Sequence, residues 1–346
     1  MRTIEKLSPT SLHLWERDRD GFYVKYLSEA PKPWEPQTEA MTIGSAFDAF
    51  VKCSLHYHLF GHDGDGEYDL KTLLEKQCQV AELRPWAWEA GKYAFDCYRT
   101  WGCYDELLSE LQQSEEDPQF EFELRGTVGG VPLVGKPDLW YRKTIQVIYD
   151  WKVMGFCSRH PQSPKKFYKT CRDCWGDDRA KPTRGFKGKP LAHKGYKEID
   201  HHGHKIGGHF LEEVDKKWAD QIAIYGWMSG VSVGDEDTVV GIDQLACKPS
   251  PDPDKERFPL IRVAQHRCRI SHVYQQQLVA RLQDCWNQIQ SGWIFPDLSR
   301  EESDERCEMM DLQLQGDAAG FSKEAVKDTD EMDAFWGEVN KKEYRG

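Results

Sequence analysis

Gly-Lys-Pro-Asp-Leu-Trp-Tyr-Arg-Lys-Thr-Ile-Gln-Val-Ile-Tyr-Asp-Trp-Lys, residues 135–152, is the stretch on which the reading of the whole chain turns. Residues 131–141 and 145–153 are rich in β-branched and aromatic side chains and flank the polar Arg142-Lys143-Thr144, which predicts two strands joined by a tight turn. Asp138 follows Pro137 in the first strand. Asp150 and Lys152, two apart in the second, share one face because side chains alternate across a strand. Two carboxylates and an amine thus converge. Hard divalent cations take such oxygen ligands together with water and substrate phosphate, polarise the phosphoryl group and lower the pKa of bound water. A lysine alongside can hold or deprotonate the attacking water. A half-buried hairpin with surface charges and one salt bridge shows the same spacing, since Asp-x-Lys is common in strands.

Pro137-Asp138, followed by Asp150-Trp151-Lys152 on the next strand, resembles the signature of the PD-(D/E)XK nuclease superfamily. Further on, Trp218-Ala-Asp-Gln-Ile-Ala-Ile-Tyr225 is similar to the Gln-x-x-x-Tyr helix of the RecB-like and lambda-exonuclease-like branches, and the two pieces occur in the family's order. The resemblance implies an α/β, restriction-endonuclease-like core, a central mixed β-sheet flanked by helices. It implies a Mg²⁺- or Mn²⁺-dependent deoxyribonuclease in which Asp138 and Asp150 hold the metal with Asp48 and the backbone carbonyl of Trp151. Lys152 would position the water, Gln221 would orient the lysine or the water, and Tyr225 would contact a phosphate. Single-stranded DNA or duplex ends are the implied substrates, exonuclease the implied subclass, and replication, recombination or repair the implied setting. Two other readings stay open: a non-catalytic nucleic-acid-binding or assembly protein on a degenerate nuclease fold, and a nuclease acting on RNA.

The N-terminal third extends the resemblance. Residues 7–15 predict a helix with Ser8 as its cap and Pro9 at its first position, and residues 21–27 follow as an aromatic-rich segment. Together they resemble the opening of RecB-like nucleases. Several relatives place a cluster cysteine between these pieces and three more near the C-terminus; here Trp15-Glu-Arg-Asp-Arg-Asp20 and only Cys307 stand there, which leaves an iron–sulfur cluster unsupported. Residues 41–52 predict a helix that packs Phe47, Phe50 and Val51, with Gly44 allowing close approach. Where the similar segment of relatives supplies a metal-binding histidine, this chain has Asp48, an oxygen ligand suited to harder cations. A plain helix-face carboxylate is the alternative.

Length and charge bound these readings. The 346 residues allow one large α/β domain with an insertion, or two modest domains. A formal charge of −12 excludes a uniformly basic nucleic-acid binder, so any phosphate-binding face must be local. No apolar run approaches a membrane span and the first six residues lack a signal-peptide core, which predicts a cytoplasmic protein without membrane contact. The eleven cysteines are then expected as free thiols or metal ligands. The expected divisions are residues 1–156 and 218–315 for the two parts of the core, 157–217 for an insertion and 316–346 for an acidic tail.

Residues 70–83 and 86–111 predict helices broken near Pro85, with Trp86, Trp88, Tyr93, Phe95 and Tyr98 as core rather than as base-stacking rings. Residues 120–124 predict a strand whose Glu121 and Glu123 face solvent, with an outer metal ligand as the alternative. Residues 210–230 predict one helix carrying Gln221 and Tyr225 on one face. Strands are expected over 238–247 and 260–270. A helix is expected over 271–291, capped by Ser271 and packing through Val273, Leu278, Leu282 and Trp286.

The insertion reads as irregular and exposed, a basic flap over the cleft. Residues 159–197 contain twelve Lys or Arg against three Asp. Lys165, Lys166, Lys169, Arg184, Lys187 and Lys189 are the candidate phosphate contacts, which would make DNA binding salt-sensitive; a solvated charged face is the alternative. Cys157-x2-His160 and Cys171-x2-Cys174 have spacings that a structural Zn²⁺ accepts, with His193, His201, His202, His204 and His209 as competing partners. A flexible loop with incidental thiols is the alternative. The tail is either loosely held or docks on a protein partner through Phe335, Trp336 and Tyr344.

Overall fold

Asp138 sits where a strand expected to run unbroken changes partners. Strand β3 (Val131–Gly135) pairs with β2 (Leu124–Val128) in a small separate sheet, whereas β4 (Leu139–Arg142) pairs with β5 (Gln146–Met154). Pro137 lies between them; it has no N–H to donate to a ladder, so the predicted strand over 131–141 is two strands. The predicted hairpin holds for β4 and β5. The computed structural model describes residues 1–30, 36–61, 66–100, 102–154, 198–248 and 260–320.

β4 and β5 belong to a five-stranded sheet completed by β1 (Gln119–Phe120), β8 (Val239–Lys248) and β9 (Leu260–Cys268), in the order β1-β4-β5-β8-β9. Only β5 and β8 run parallel, from Val147↔Val239 to Met154↔Ala246, so the sheet is mixed. Parallel neighbours require a crossover, and here it includes the hairpin β6 (Glu198–His201) and β7 (His204–Gly207), then α7 (Leu211–Val214) and α8 (Lys216–Met228). Residues 198–217, expected as irregular insertion, are thus regular structure; Ile206 and Leu211 are buried.

Side-chain alternation divides the sheet between two cores. Ile148, Val240, Ile242 and Cys268 pack with α1 (Pro9–Arg17), α8 and α9 (His272–Ser291). Tyr149, Trp151, Leu245 and Val263 pack on the other face with α3 (Glu39–Phe60), α5 (Arg84–Thr100) and α6 (Cys103–Gln112). The fold is therefore α/β, with a mixed central sheet flanked by helices. Phe47, Phe50 and Val51 are buried as expected, and burial of each such side chain contributes about 1.5–3 kcal/mol. Phe95 and Tyr98 are core as well.

Local signals explain most boundaries. Ser8 and Ser11 cap α1 reciprocally, with Pro9 in the first turn. Between α1 and α3 lie the short α2 (Arg19–Phe22) and a π-helical turn, Tyr23–Leu27. α4 (Leu70–Gln77) precedes a short 3-10 turn, Ala81–Leu83, and α5 carries Pro85 in its first turn. Asp215 interrupts the single helix predicted over 210–230, because its extended backbone and side chain cap the Lys217 and Trp218 N–H groups and start α8 afresh. In α9, Leu278 and Leu282 are buried, whereas Val273 is exposed and Tyr274 takes its place. Gly44 is not a close approach: a Cβ there would meet Val153 at 3.9 Å, whereas one on Gly91 would lie 2.4 Å from Ala46 of α3. A final helix, α10 (Arg300–Gly320), passes the boundary expected at 316 and holds the π turn through Tyr23 to Asp311.

Candidate active site

The β4–β5 register places Asp138 beside Asp150. Leu139 pairs with Tyr149, so the residue before β4 comes level with Asp150, and Asp138 Oδ2 accepts a hydrogen bond from the Trp151 N–H at 3.1 Å. Asp150 is buried at 2 % exposure. Burial, then the Asp138 charge, raises its pKa to about 8, against the opposing pull of Lys152. Lys152 Nζ lies 2.6 Å from Asp150 Oδ1.

Helix α8, packed on the same sheet face as Ile148, closes this group. Gln221 accepts from Lys152 Nζ through Oε1 at 2.8 Å and donates from Nε2 to Asp150 Oδ2 at 2.8 Å. The same Nε2 lies 3.0 Å from the Tyr225 hydroxyl, one helical turn on. Burial, then Asp150, raises the Tyr225 pKa, which keeps the phenol protonated. Gly135 makes room for that ring, since a Cβ there would lie 2.4 Å from it. Asp220, buried beside Gln221, anchors the helix: it takes both Arg281 terminal nitrogens at 2.9 Å, the Tyr274 hydroxyl at 2.7 Å and His13 Nε2 at 3.0 Å. All five predicted catalytic residues are brought together.

A second set of charges adjoins the first, and most of it was not foreseen. Lys52, one turn after Asp48 on α3 and 1 % exposed, places Nζ at 2.6 Å from Asp48 Oδ2, 2.7 Å from Glu121 Oε1 and 3.7 Å from Asp138 Oδ1. Gln77 donates to the same Asp48 and Glu121 oxygens at 2.8 and 3.0 Å. Glu121 was expected to face solvent on a strand. Instead β1 ends before it, its φ of +47° turns the chain, and its carboxylate enters the site, where Lys136 also binds it at 2.8 Å; Glu123 is exposed as expected. A left-handed glutamate costs about 1–3 kcal/mol and survives where its surroundings hold it. Burial works to raise the Glu121 pKa, but Lys52 and Lys136 outweigh it and hold it at about 2. Burial raises that of Asp48 to about 7 despite Lys52, and Asp138 and Glu121 push the same way.

Asp48, Asp138 and Asp150 therefore share one site without closing on one point. Among the described residues, three ligand atoms from His, Cys, Asp or Glu lie within 4.8 Å of one another only at His201, His202 and Asp237. The donors at Asp138 and Asp150 nevertheless fit a hard divalent cation: they are carboxylate oxygens, and the like charge that raises the Asp150 pKa is what such an ion offsets.

Beneath the site, on the other sheet face, Asp243 is fully buried and accepts from Tyr98, Tyr149 and Arg267, which fixes the strand carrying Trp151. Cys157, His160, Cys171 and Cys174, the zinc candidates, and Lys165, Lys166, Lys169, Arg184, Lys187 and Lys189 lie outside the described residues, as does the tail from 321. Cys78, Cys103, Cys268, Cys285 and Cys307 form no disulfide. No helix among the described residues is long and apolar enough to cross a membrane. Compared with known proteins, the chain matches no family model, no curated protein and no solved structure.

Proposed function

We propose that this chain is a metal-dependent deoxyribonuclease of PD-(D/E)XK type, an exonuclease acting on DNA ends or single strands. The observation that carries this reading is the hydrogen-bonded chain through Asp150, Gln221 and Lys152, which joins motifs 69 residues apart in sequence. A binding surface has no need for a buried carboxylate and a lysine held by one glutamine.

Asp138 and Asp150 would hold Mg²⁺ or Mn²⁺, with Asp48 and the Trp151 carbonyl as further oxygen donors. Such a cation, when bound, polarises the phosphate and acidifies its water. Two of the three Lys152 ammonium donors point to Asp150 and Gln221, which leaves one for the attacking water or a phosphate oxygen. Gln221 fixes that lysine against rotation. Tyr225, a protonated phenol, can donate to a phosphate oxygen.

A second reading, a non-catalytic nucleic-acid-binding protein on the same fold, is favoured by Lys52, whose ammonium already neutralises part of the acidic site. Cleavage of end-labelled single-stranded and duplex DNA with Mg²⁺, Mn²⁺ or EDTA separates the two. Metal-dependent cutting that falls at least about 10²-fold in Lys152→Ala and Asp138→Ala is the expected result. A folded parent chain that binds DNA and cuts none of these substrates overturns the nuclease reading in favour of the second.

A further inference from the structure

The β6–β7 hairpin carries a second constellation of metal-ligating side chains, apart from the carboxylates above. Its two turn residues, His202 and Gly203, have φ of +50° and +82°, as a type I′ turn requires. That turn is ordinarily Asn-Gly or Asp-Gly, so His202 adds an imidazole for which the turn has no need. His201 precedes it. The two neighbouring rings reach one residue: His201 Nε2 lies 2.9 Å from the backbone oxygen of Asp237, and His202 Nε2 lies 3.1 Å from Asp237 Oδ1. Asp237 is itself held, its N–H donating to Asp235 Oδ1 at 2.8 Å.

A backbone hydrogen bond and an exposed ion pair account for these contacts one at a time. Together they bring two imidazole nitrogens and a carboxylate oxygen within 4.8 Å of one another. Bonds of about 2.0–2.2 Å in a tetrahedral zinc site set neighbouring donors about 3.3–3.6 Å apart. The 3.1 Å between His202 and Asp237 needs to open only slightly to admit the ion. Two nitrogens and one oxygen suit Zn²⁺ and its transition-metal neighbours rather than Mg²⁺.

We infer that His201, His202 and Asp237 form a three-ligand site for one transition-metal cation of the zinc class, which clips the β6–β7 hairpin to the start of β8. His202 and Asp237 also line a cleft of about 500 Å³ with Arg142, Lys143, Thr144 and Ser232, so water or an anion can reach the fourth position. The three ligands include none of the Cys157, His160, Cys171 and Cys174 set, and the inference is independent of the nuclease reading.

The test is metal titration of the full chain, stripped of metal by chelator. Zn²⁺ is followed by calorimetry and Co²⁺ by its absorption. His202→Asn, which suits the left-handed turn, and Asp237→Asn are compared with Asp150→Asn and with Cys171→Ser/Cys174→Ser. The expected result is one cation equivalent weakened at least about tenfold in His202→Asn and Asp237→Asn and retained in both control variants, because even the partner of a ligand is worth about 10–100-fold. Its Co²⁺ spectrum carries ligand-field bands without a thiolate charge-transfer band. Unchanged stoichiometry and affinity in His202→Asn and Asp237→Asn, or binding lost only in the control variants, overturns the site.

Discussion

Lys52 is the residue on which the acidic site depends. Three carboxylates face its ammonium, and removal of one partner from such a buried set leaves the others uncompensated, at about 3–5 kcal/mol. Lys52→Met should therefore lower the stability read from urea unfolding by about that amount at pH 8 without divalent ions. The loss should be smaller at pH 5, where the raised pKa of Asp48 lets its carboxyl take up a proton. In the parent, Asp48 and Asp150 bind protons in the folded state that the unfolded chain releases at ordinary carboxylate pKa values. Their contribution is full below about pH 4 and is lost as pH rises through the raised values, so stability should decline from about pH 5 to 8. Glu121, held low, contributes the opposite slope at acid pH, outside that window. Lys52 could be read from sequence only as the i+4 neighbour of Asp48. Its other partners, Gln77 and Glu121, arrive through tertiary packing that no local pattern encodes.

Elements position the site by close approach and by anchoring. Gly135 on β3 lets Tyr225 of α8 lie against the strand, so Gly135→Ala should cost about 1–3 kcal/mol by overpacking and displace the phenol. Thermal unfolding checks the first effect; a fall in cleavage rate larger than the fall in folded fraction checks the second. The catalytic set was singled out by its resemblance to the PD-(D/E)XK and Gln-x-x-x-Tyr motifs; local periodicity added only that Asp150 and Lys152 share a face of β5 and that Gln221 and Tyr225 are one turn apart on α8. The strand over 131–141 misled because its β-rich composition concealed a change of partner at Pro137. The break at Asp215 had a signal, a capping aspartate before Lys-Lys-Trp, whereas the left-handed backbone of Glu121 had none. Val273 shows the limit of a helical period, since a helix-start residue can fall on the solvent side of the stripe.

At the scale of the molecule, a chain of charge −12 carries a local excess of nine positive charges in residues 159–197. The core strands and helices on either side make their own contacts, so replacing residues 159–196 by a short Gly-Ser linker should leave the cooperative unfolding of the core in place. It should also flatten the dependence of DNA affinity on salt, since fewer counterions are displaced; an unchanged slope in filter binding would remove the insertion from the DNA interface. The parallel pairing of β5 with β8 has a further consequence, for the order of assembly. Val147 and Val239 are 92 positions apart, while the hairpins β4–β5 and β8–β9 are each joined by shorter connections. Pairings with long separations close late, because the chain loses entropy before their contacts form. Asp138, Asp150 and Lys152 leave the ribosome well ahead of Gln221 and of the strand that completes the sheet's centre. A nascent chain thus holds Asp138, Asp150 and Lys152 without their Gln221 partner until its second half is made, and the buried charge cluster is completed late in assembly.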